Sequence, residues 1–523
     1  MTWAELRKSL DLNLVLIALL SVLAFAPLTY PGFFQSHSTF LPVFNLLDLE
    51  RDLWSNWGWV PTLVRGFDQL RGEGPFPYLL AEFLRWLGAG GVQSIKTVYL
   101  LGFVSSGLGI YLLGKEFYGA PGALVAAVVY VYLPYHLATV YVRGAYAEAW
   151  AFVLYPLILL CLHKYMSKEA WLWATVTVLL YAALALTNLG PALLYGLLLL
   201  AYVLLLSPSR RAKGQAVRLL VLGVIVALLL QLPTVMRHGL VVQSAQDFTQ
   251  HFVYPFQLLS ASWGYGTSVP GWDDTLPLQL GLVATGLTLL SGMLLAGNDV
   301  DPTLRRRVGF FVAGALVMAI LVLPPASFLW RVSLLSYALR YPWQLLAFVG
   351  LAMSIASGAT VRLGRQLARF PWRAVLVTLA IVASYSYLSP RFTDVQVGGS
   401  PVAIMGDRMA LLAYERQGPL LHGATVRLTL YWQSLQPMER DYTVFVHIVD
   451  ATGRTWGQQD SMPVAAERPT SSWKLGEVIE DEYELTIDVE GPREGYTIEL
   501  GVYDPSTGER LLVSDGATAV IID

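Results

Sequence analysis

The chain has 523 residues, of which 55% are hydrophobic and 14% are charged, and its mean hydropathy is +0.53. A soluble domain carries about 25% charged residues, so much of this chain must face something other than water. The net charge of −2 and the single cysteine exclude a basic nucleic-acid-binding protein, a disulfide framework and a thiolate metal site.

The first apolar segment follows Arg7 and Lys8 and runs from Leu12 to Leu28. Its basic start and the sequence Ala24-Phe25-Ala26 are typical of a secretory signal peptide. Pro27 directly after that sequence is expected to block cleavage, and many more apolar segments follow. We therefore predict a retained first transmembrane helix with its N-terminus in the cytoplasm.

Further apolar segments recur at the length that a helix needs to cross the hydrocarbon core of a membrane. They lie near residues 92–113, 120–137, 148–163, 170–187, 189–206, 217–236, 277–296, 307–324, 343–360 and 373–389. Together with the first segment they predict a polytopic α-helical membrane domain, residues 1–390, with about eleven transmembrane helices. A long polar loop at about 31–91 separates the first two.

Charge placement predicts the orientation of these helices. With the N-terminus inside, every short inner loop carries Lys or Arg, as the positive-inside rule requires. These cations are Lys115, Lys164, Lys168, Arg210, Arg211, Lys213, Arg218, Arg305, Arg306, Arg307, Arg362, Arg365, Arg369 and Arg373. An odd number of spans places the C-terminus on the outer face, and we expect the protein in the plasma (inner) membrane.

The chain changes character after about residue 391. Short segments with alternating apolar and polar residues, many of them β-branched or aromatic, occur at 426–432, 442–449, 483–489 and 496–503, a pattern that predicts half-buried strands. Residues 391–523 are therefore expected to form an extracytoplasmic all-β sandwich. Its Trp432 and Trp473 either stack on sugar rings, as in a carbohydrate-binding domain, or fill the core.

The first polar loop carries alternating acidic residues, Asp48, Glu50 and Asp52, beside Arg51. A carboxylate at the outer membrane face is suited to act as a general base for a sugar hydroxyl, or to bind a divalent metal such as Mg²⁺ or Mn²⁺. The alternative is an ordinary solvated helix at the interface, with the neighbouring tryptophans as an aromatic belt.

Three further polar clusters lie at predicted outer helix ends, where charged groups are costly and tend to be functional. Arg143 is suited to hold a phosphate by charge-assisted hydrogen bonds, with Glu148 orienting it; a purely structural Arg–Glu pair is the alternative. His251 lies in a loop rich in glycine and aromatic residues. Arg331 and Arg340 are the other candidates for gripping a lipid phosphate, and snorkelling to headgroups is their alternative role.

Motifs of other membrane activities are missing from the sequence. It contains no Gly-x-x-x-x-Gly-Lys-Ser/Thr loop, no Gly-x-Gly-x-x-Gly after a strand and no His-Glu-x-x-His. Nucleotide-driven transport and zinc proteolysis are therefore unsupported. A transporter driven by an ion gradient is also disfavoured, because no inverted repeat or mid-span ion pair is evident.

A series of short motifs occurs in a fixed order along the chain. The motifs are Phe33-Phe34-Gln35-Ser36-His37, Leu47-Asp48-Leu49-Glu50-Arg51, Gly74-Pro75-Phe76-Pro77-Tyr78, Val142-Arg143-Gly144-Ala145-Tyr146-Ala147-Glu148, Phe256-Gln257-Leu258-Leu259-Ser260, Trp263-Gly264-Tyr265-Gly266 and Arg340-Tyr341-Pro342-Trp343. This series resembles the bacterial GT-C-type membrane glycosyltransferase-like proteins, in particular the group labelled 6-pyruvoyl-tetrahydropterin-synthase-related membrane proteins, and the resemblance covers roughly residues 10–390. The last part of the chain resembles the β-sandwich appended to such proteins.

This resemblance implies a polyprenyl-phosphate-sugar donor, a glycan or protein acceptor, and inverting transfer at the outer membrane face. It also implies an acidic residue of the first outer loop as general base or metal ligand. The sequence departs from the pattern here, because the residue after His37 is Ser38, where such proteins carry Asp. A serine does not accept a proton near neutral pH as a carboxylate does.

Two hypotheses from different classes follow. In the first, the protein is a glycosyltransferase in which Glu50 or Asp48, with His37 nearby, replaces the missing base, and Arg143 and Arg340 bind phosphate. In the second, it is a catalytically inactive relative that binds a lipid-linked glycan or an envelope partner.

Overall fold

The computed structural model describes residues 11–56, 67, 70, 73–238, 248–297, 299–332, 335–393, 401–514 and 516–522. The chain divides into two compact units. The helical unit comprises Met1–Thr29 and Asp48–Pro390, and the β unit comprises Tyr30–Leu47 and Arg391–Asp523. The predicted outer loop is thus shared, since its first part belongs to the β unit, and the division falls within the helix Leu41–Arg51.

The helical unit is built mainly from long apolar helices. They are Leu12–Phe25, Gly91–Tyr118, Ala120–Val131, Tyr146–Lys168, Trp171–Thr187, Leu189–Leu206, Arg210–His238, Leu282–Gly292, Pro302–Leu321, Leu346–Ser357 and Phe370–Val382. Shorter helices are Phe76–Trp86, Pro134–Tyr141, Pro255–Leu259, Ser327–Val332 and Leu335–Ala338. Short 3₁₀ or π turns are Ala26–Thr29, Asp52–Asn56, Phe248–Gln250, Met293–Leu295, Pro324–Ala326, Pro342–Leu345, Gly358–Arg362 and Tyr385–Tyr387.

Every predicted apolar segment overlaps one of these helices, but not all of the helices have the length of a span. Among the described residues, six are long and apolar enough to cross a membrane, or up to eight if each of two bent pairs is one span. The helices Trp171–Thr187 and Leu282–Leu295 are apolar but shorter. The helical, membrane-type architecture is confirmed, and the count of eleven is not.

One bent pair shapes the candidate site. The helices Ala120–Val131 and Pro134–Tyr141 meet at an angle of 40°. Because a proline disfavours helical geometry in the residue before it, Leu133 is extended, with φ −58° and ψ 131°. The chain restarts as a helix at Pro134, whose missing N–H is harmless in a first turn.

The β unit contains two four-stranded antiparallel sheets around one apolar core, and the predicted all-β nature of this region is confirmed. One sheet has the order β10-β9-β6-β7, and the other has the order β3-β4-β5-β8. The strands are β3 (Ala403–Met405), β4 (Met409–Gln417), β5 (Thr425–Ser434), β6 (Thr443–Val449), β7 (Thr455–Ser461), β8 (Val478–Thr486), β9 (Thr497–Tyr503) and β10 (Val520–Ile522). Along β8 every second residue is buried, as period-two alternation predicts.

A third, two-stranded sheet ties the early segment into the β unit. Strand β1 (Phe33–Gln35) pairs antiparallel with β2 (Arg391–Thr393). The next residues turn against the end of β5: Gln433, fully buried, accepts from the Phe40 N–H at 3.3 Å and donates to the Ser38 carbonyl at 2.9 Å. The Thr39 hydroxyl donates to the Gly476 carbonyl at 2.5 Å. The first loop therefore begins as an integral part of the β unit.

Candidate functional site

The candidate site is built on the turn between the helices Pro134–Tyr141 and Tyr146–Lys168. The N–H groups of Arg143, Gly144 and Ala145 donate back to carbonyls of the first helix, at 2.9 to 3.2 Å. This closure requires a left-handed residue, and Gly144 supplies it with φ +60°. The tight turn fixes the backbone of Arg143 at the end of the helix, so its side chain has little choice of direction.

Arg143 forms a compact network with Glu148 and Tyr135. Its guanidinium lies 2.7 Å from the Glu148 carboxylate and donates to the Tyr135 hydroxyl at 3.2 Å. The Tyr135 hydroxyl in turn donates to Glu148 at 2.9 Å. Burial alone lowers the pKa of Arg143, but the nearby oxygens of Glu148 and Tyr135 raise it above its ordinary value. The guanidinium is therefore a permanent cation at this turn.

An aromatic plate covers the cation. The Arg143 guanidinium lies 4.6 Å from the centre of the Trp343 ring, within the range of a cation–π contact. Tyr341 stacks on Trp343, with ring centres 5.0 Å apart. Arg340 extends this row, because its guanidinium lies 5.5 Å from the centre of the Tyr341 ring.

A polar relay of hydrogen-bonded side chains connects the loop before the helix Leu282–Gly292 to Trp343. The Ser268 hydroxyl accepts from the Trp343 indole N–H at 3.1 Å, donates to Asp274 at 2.8 Å, and lies 2.9 Å from His251 Nδ1. A hydroxyl has one hydrogen and two lone pairs. Since the hydrogen points to Asp274, His251 must carry its own hydrogen on Nδ1, which leaves Nε2 as the basic nitrogen of the ring.

Asp274 is the half-buried end of this relay. Burial raises the pKa of its carboxyl, and hydrogen bonds from the Leu276 N–H and the Ser268 hydroxyl offset part of that rise. His251 also packs against Tyr341, with ring centres 4.9 Å apart. The predicted residues Arg143, Glu148, His251 and Arg340 are thus gathered around one aromatic row.

The acidic residues of the first loop are held by arginines. Glu50 is bound by Arg85 at 2.6 and 3.1 Å, and Asp48 by Arg51 at 3.0 Å. No group of three His, Cys, Asp or Glu side chains suited to a metal ion occurs in the part of the chain that the structure describes. Asp48 and Glu50, the predicted metal ligands, are thus each paired with an arginine.

A different carboxylate of this loop lies beside the Arg143 turn. Glu73 accepts a hydrogen bond from the Tyr78 hydroxyl. The Tyr78 ring packs edge-on against Tyr146, and Tyr99 does the same while donating to the Gly144 carbonyl at 3.1 Å. Through Tyr78, the Gly74–Tyr78 motif thus packs against the turn.

The remaining predicted residues lie elsewhere. His37 and Ser38 belong to the β unit, and Arg331 is an exposed residue of the short helix Ser327–Val332. Trp432 and Trp473 are buried in the core of the sandwich. Neither ring therefore has an exposed face for the predicted stacking on sugars. Large aromatic side chains in a β-sandwich gain more free energy from burial against the opposite sheet.

Several residues of the cluster were not selected from the sequence. Tyr135, Asp274 and Trp343 lie in the predicted polar clusters without a predicted role, and Ser268 joins the site only through the fold. A sequence signal did exist for Asp274, which follows Asp273 in a loop between two apolar segments. Ser268 carried none, since a lone serine in a loop is unremarkable.

Comparison with known proteins gives matches in sequence and in structure. The model of a membrane-protein domain described as related to 6-pyruvoyl-tetrahydropterin synthase matches residues 74–395, more than half of the chain. No curated protein matches the sequence.

Solved structures similar to this chain include two membrane transferases. The arabinofuranosyltransferase AftD from Mycobacteria has 17% identity and a TM-score of 0.49, over 72% of this chain and 27% of that one. The oligosaccharyltransferase of Archaeoglobus fulgidus in its apo form has 13% identity and a TM-score of 0.44, over 73% of this chain and 56% of that one. Its complex with zinc and sulfate has a TM-score of 0.40, with 14% identity, 73% of this chain and 54% of that one covered. This chain thus spans about a quarter of the first protein and about half of the second.

Proposed function

The chain belongs to the family of 6-pyruvoyl-tetrahydropterin synthase related membrane proteins, and from this premise we propose that it is a membrane glycosyltransferase. The proposed donor is a sugar linked to polyprenyl phosphate, and the acceptor is a glycan or a protein. The sequence motifs that resemble GT-C-type enzymes support this proposal. So does the polar cluster around Arg143, and that cluster carries the argument.

Arg143 is the proposed anchor for the phosphate of the donor. A guanidinium has five N–H donors in a planar fork, a geometry that suits a phosphate, and Glu148 and Tyr135 hold the Arg143 guanidinium at 2.7 and 3.2 Å. The donor phosphate is proposed to join this network, where negative charge that develops as the sugar departs is stabilised. Arg340, one aromatic ring away, is the proposed second phosphate contact, and Arg331 is proposed to contact lipid headgroups.

The relay of Asp274, Ser268 and His251 is the proposed proton acceptor. In the reaction, the acceptor hydroxyl oxygen bonds to the anomeric carbon, the bond from that carbon to the phosphate oxygen breaks, and polyprenyl phosphate leaves. The hydroxyl proton moves to His251 Nε2, because Nδ1 is occupied by Ser268 at 2.9 Å. Asp274, bound to the same serine, stabilises the resulting imidazolium.

The first-loop carboxylates are the other proposed location of the base. Glu50 or Asp48, with His37, would serve if the arginine that holds the carboxylate moves away when substrate binds. In the structure the Glu50 carboxylate is 2.6 Å from Arg85, so it has to leave that arginine before it can meet a substrate hydroxyl. The geometry therefore favours His251.

The proposed topology has about eleven spans, a cytoplasmic N-terminus, and both the Arg143 turn and the β unit outside. Two ion pairs support the proposal that the predicted inner loops lie on the same side of the membrane. Lys115 binds Asp11 at 2.7 Å, and Lys164 binds Glu116 at 2.5 Å. These residues lie at the ends of the helices opposite the Arg143 turn.

The test is a transfer assay with purified protein in vesicles that contain polyprenyl-phosphate sugars. We expect Arg143→Lys to lower kcat/KM by roughly 100-fold, since Lys lacks the planar fork, and His251→Gln to lower kcat by a similar factor. Glu50→Gln is the matched comparison and should retain most activity with an intact fold. Full activity in both Arg143→Lys and His251→Gln would refute the proposed site, whereas loss only in Glu50→Gln would move the base to the first loop.

A catalytically inactive relative is the second candidate function. The observation in its favour is that Asp48 and Glu50 are both held by arginines and that Ser38 stands where a carboxylate is expected. Such a protein would bind polyprenyl phosphate or lipid-linked glycan through Arg143 without turnover. Saturable binding that is lost in Arg143→Gln, with no transfer from any donor tried, would support it.

A further inference from the structure

A second cationic cluster lies at the end of the helical unit opposite the Arg143 turn. Arg307, on the helix Pro302–Leu321, has its guanidinium 4.9 Å from the centre of the Phe117 ring. The neighbouring cations have oxygen partners: Lys164 binds Glu116, Arg305 donates to the Gly297 carbonyl, and Arg362 donates to the Tyr118 carbonyl. Among the described residues, Arg307 has the ring contact alone and no such oxygen partner.

Tyr118, next to Phe117, contributes an unused donor at the same place. Its side chain is 2% exposed, and its buried hydroxyl has no hydrogen-bond partner within the described ranges. Leaving a buried hydroxyl without a partner is costly, and native proteins rarely do so. The Tyr118 ring packs edge-on against Phe117, with ring centres 5.9 Å apart, and Phe117 is the ring that Arg307 contacts. A cation and a buried hydroxyl near one another thus both lack an acceptor.

In the part of the chain that the structure describes, the walls of this cluster are aromatic, and the carboxylate beside them is already paired with a lysine. The Tyr202 hydroxyl lies 2.9 Å from His163 Nδ1, and the His163 ring packs edge-on against Phe117, with centres 5.0 Å apart. Glu116, the nearby carboxylate, is bound by Lys164 at 2.5 Å. The positive charge of Arg307 is therefore not neutralised by the side chains around it.

We propose that Arg307 and Tyr118 form a binding site for an anionic phosphate group. A phosphate accepts bidentate hydrogen bonds from a guanidinium and, with a further oxygen, the bond that the Tyr118 hydroxyl lacks. Two sources carry this group, an anionic phospholipid headgroup and free phosphate. By the proposed topology this end faces the cytoplasmic leaflet, where basic pockets between helices bind lipid headgroups. The site is separate from the Arg143 turn and does not depend on sugar transfer.

The test uses the purified full chain in nanodiscs of phosphatidylcholine, with phosphatidylglycerol or inorganic phosphate added in separate arms. We expect an added anion to raise the melting temperature of the wild type, and the apparent affinity to fall about tenfold in Arg307→Gln. Arg306→Gln is the matched control, because Arg306 is the exposed neighbour on the same helix. A response to phosphatidylglycerol alone identifies a lipid headgroup, and a response to inorganic phosphate identifies the free ion.

Two results would overturn the site. One is a wild type that responds to neither anion, and the other is an Arg307→Gln variant that responds as strongly as Arg306→Gln. If Arg307→Gln does not fold, Tyr118→Phe decides instead, because it removes only the hydroxyl. A several-fold weaker response in that variant supports the site, and an unchanged response refutes it.

Discussion

Burial decides what each charged side chain of the helical unit can do. The Arg143 and Glu148 side chains are 13% and 12% exposed, whereas Arg51, the partner of Asp48, is 60% exposed. Removing one partner of a buried pair typically costs about 3–5 kcal/mol, because it leaves a charge without compensation. An exposed pair contributes only about 0–1 kcal/mol. Arg143 and Glu148 therefore fix their turn, while Asp48 and Arg51 hold each other loosely.

Asp274 should make stability depend on pH in the direction opposite to that of most carboxylates. Its pKa is raised in the folded protein above the ordinary 3.8, so the folded state binds the proton more tightly than the unfolded state. The free energy of unfolding is then highest at low pH and falls as pH rises from the unfolded pKa through the folded one. Asp274→Asn, measured by melting temperature in detergent from about pH 4 to about pH 7, should abolish that fall.

The control for this experiment is Asp273→Asn, a change at the exposed neighbouring carboxylate. It should keep the pH profile of the wild type. An Asp274→Asn profile that still falls in parallel with the wild type would show that another group is responsible.

At the level of elements, Gly74 allows the segment Gly74–Tyr78 to lie close against the end of the helix Trp171–Thr187. A Cβ atom added to Gly74 would lie 2.0 Å from the Thr187 carbonyl oxygen at the end of the helix Trp171–Thr187. Only a residue without a side chain allows this approach. The segment Gly74–Tyr78 is thereby held against that helix end, and Tyr78 reaches Tyr146 beside the Arg143 turn.

Gly74→Ala should therefore destabilise the helical unit by about 1–3 kcal/mol, the usual cost of overpacking. Gly286→Ala is the control, since a Cβ there meets no atom within 4 Å, and alanine is favoured over glycine inside a helix by about 1 kcal/mol. Thermal unfolding in detergent should lower the melting temperature of the first variant and leave that of the second equal or higher. Equal melting temperatures for Gly74→Ala and the wild type would contradict the close approach.

Contacts between residues that are close in the sequence could be predicted, and contacts between residues that are far apart in the sequence could not. Apolar periodicity located the helices, and Arg143 and Glu148, five positions apart, were recognised as a pair with two possible roles. The contact of Trp343 with Ser268 joins residues 75 positions apart, and no local pattern announces it. The same holds for Glu50 and Arg85, 35 positions apart, which is why a carboxylate held by an arginine was indistinguishable from a catalytic base.

On the scale of the whole molecule, the β unit is assembled from two distant stretches of chain. The pairing of β1 with β2 and the capture of the Ser38–Phe40 turn by Gln433 bring the start of the first loop into the sandwich. Gly476 makes this possible, since its φ is +74° and a Cβ there would lie 1.9 Å from the Ser36 carbonyl oxygen. Alternating strand patterns predicted the later strands, but the early segment is too short to show such a pattern.

Gln433→Ala should loosen the early segment and leave the helical unit unchanged. It leaves the Phe40 N–H without its acceptor, at about 1–3 kcal/mol for a buried group, whereas the Ser38 carbonyl keeps its bond from the Leu41 N–H. Hydrogen exchange should then speed up at the amide of Phe40 and not in the helix Leu346–Ser357. Gln417→Ala, at the exposed end of β4, is the control, and unchanged exchange at Phe40 in the Gln433 variant would contradict the bond.

The bond between Thr39 and Gly476 spans 437 positions of the chain, and this has a consequence for biosynthesis. A ribosome adds ~5–20 residues per second, so Thr39 exists for roughly 20 to 90 seconds before its partner has been made. During that time the phenylalanines at positions 33, 34 and 40, each at most 2% exposed in the finished protein, have no sheet to bury them. The nascent chain therefore exposes an aggregation-prone aromatic segment early in synthesis. A truncated product that ends before Gly476 should be a preferred substrate for chaperones and quality-control proteases.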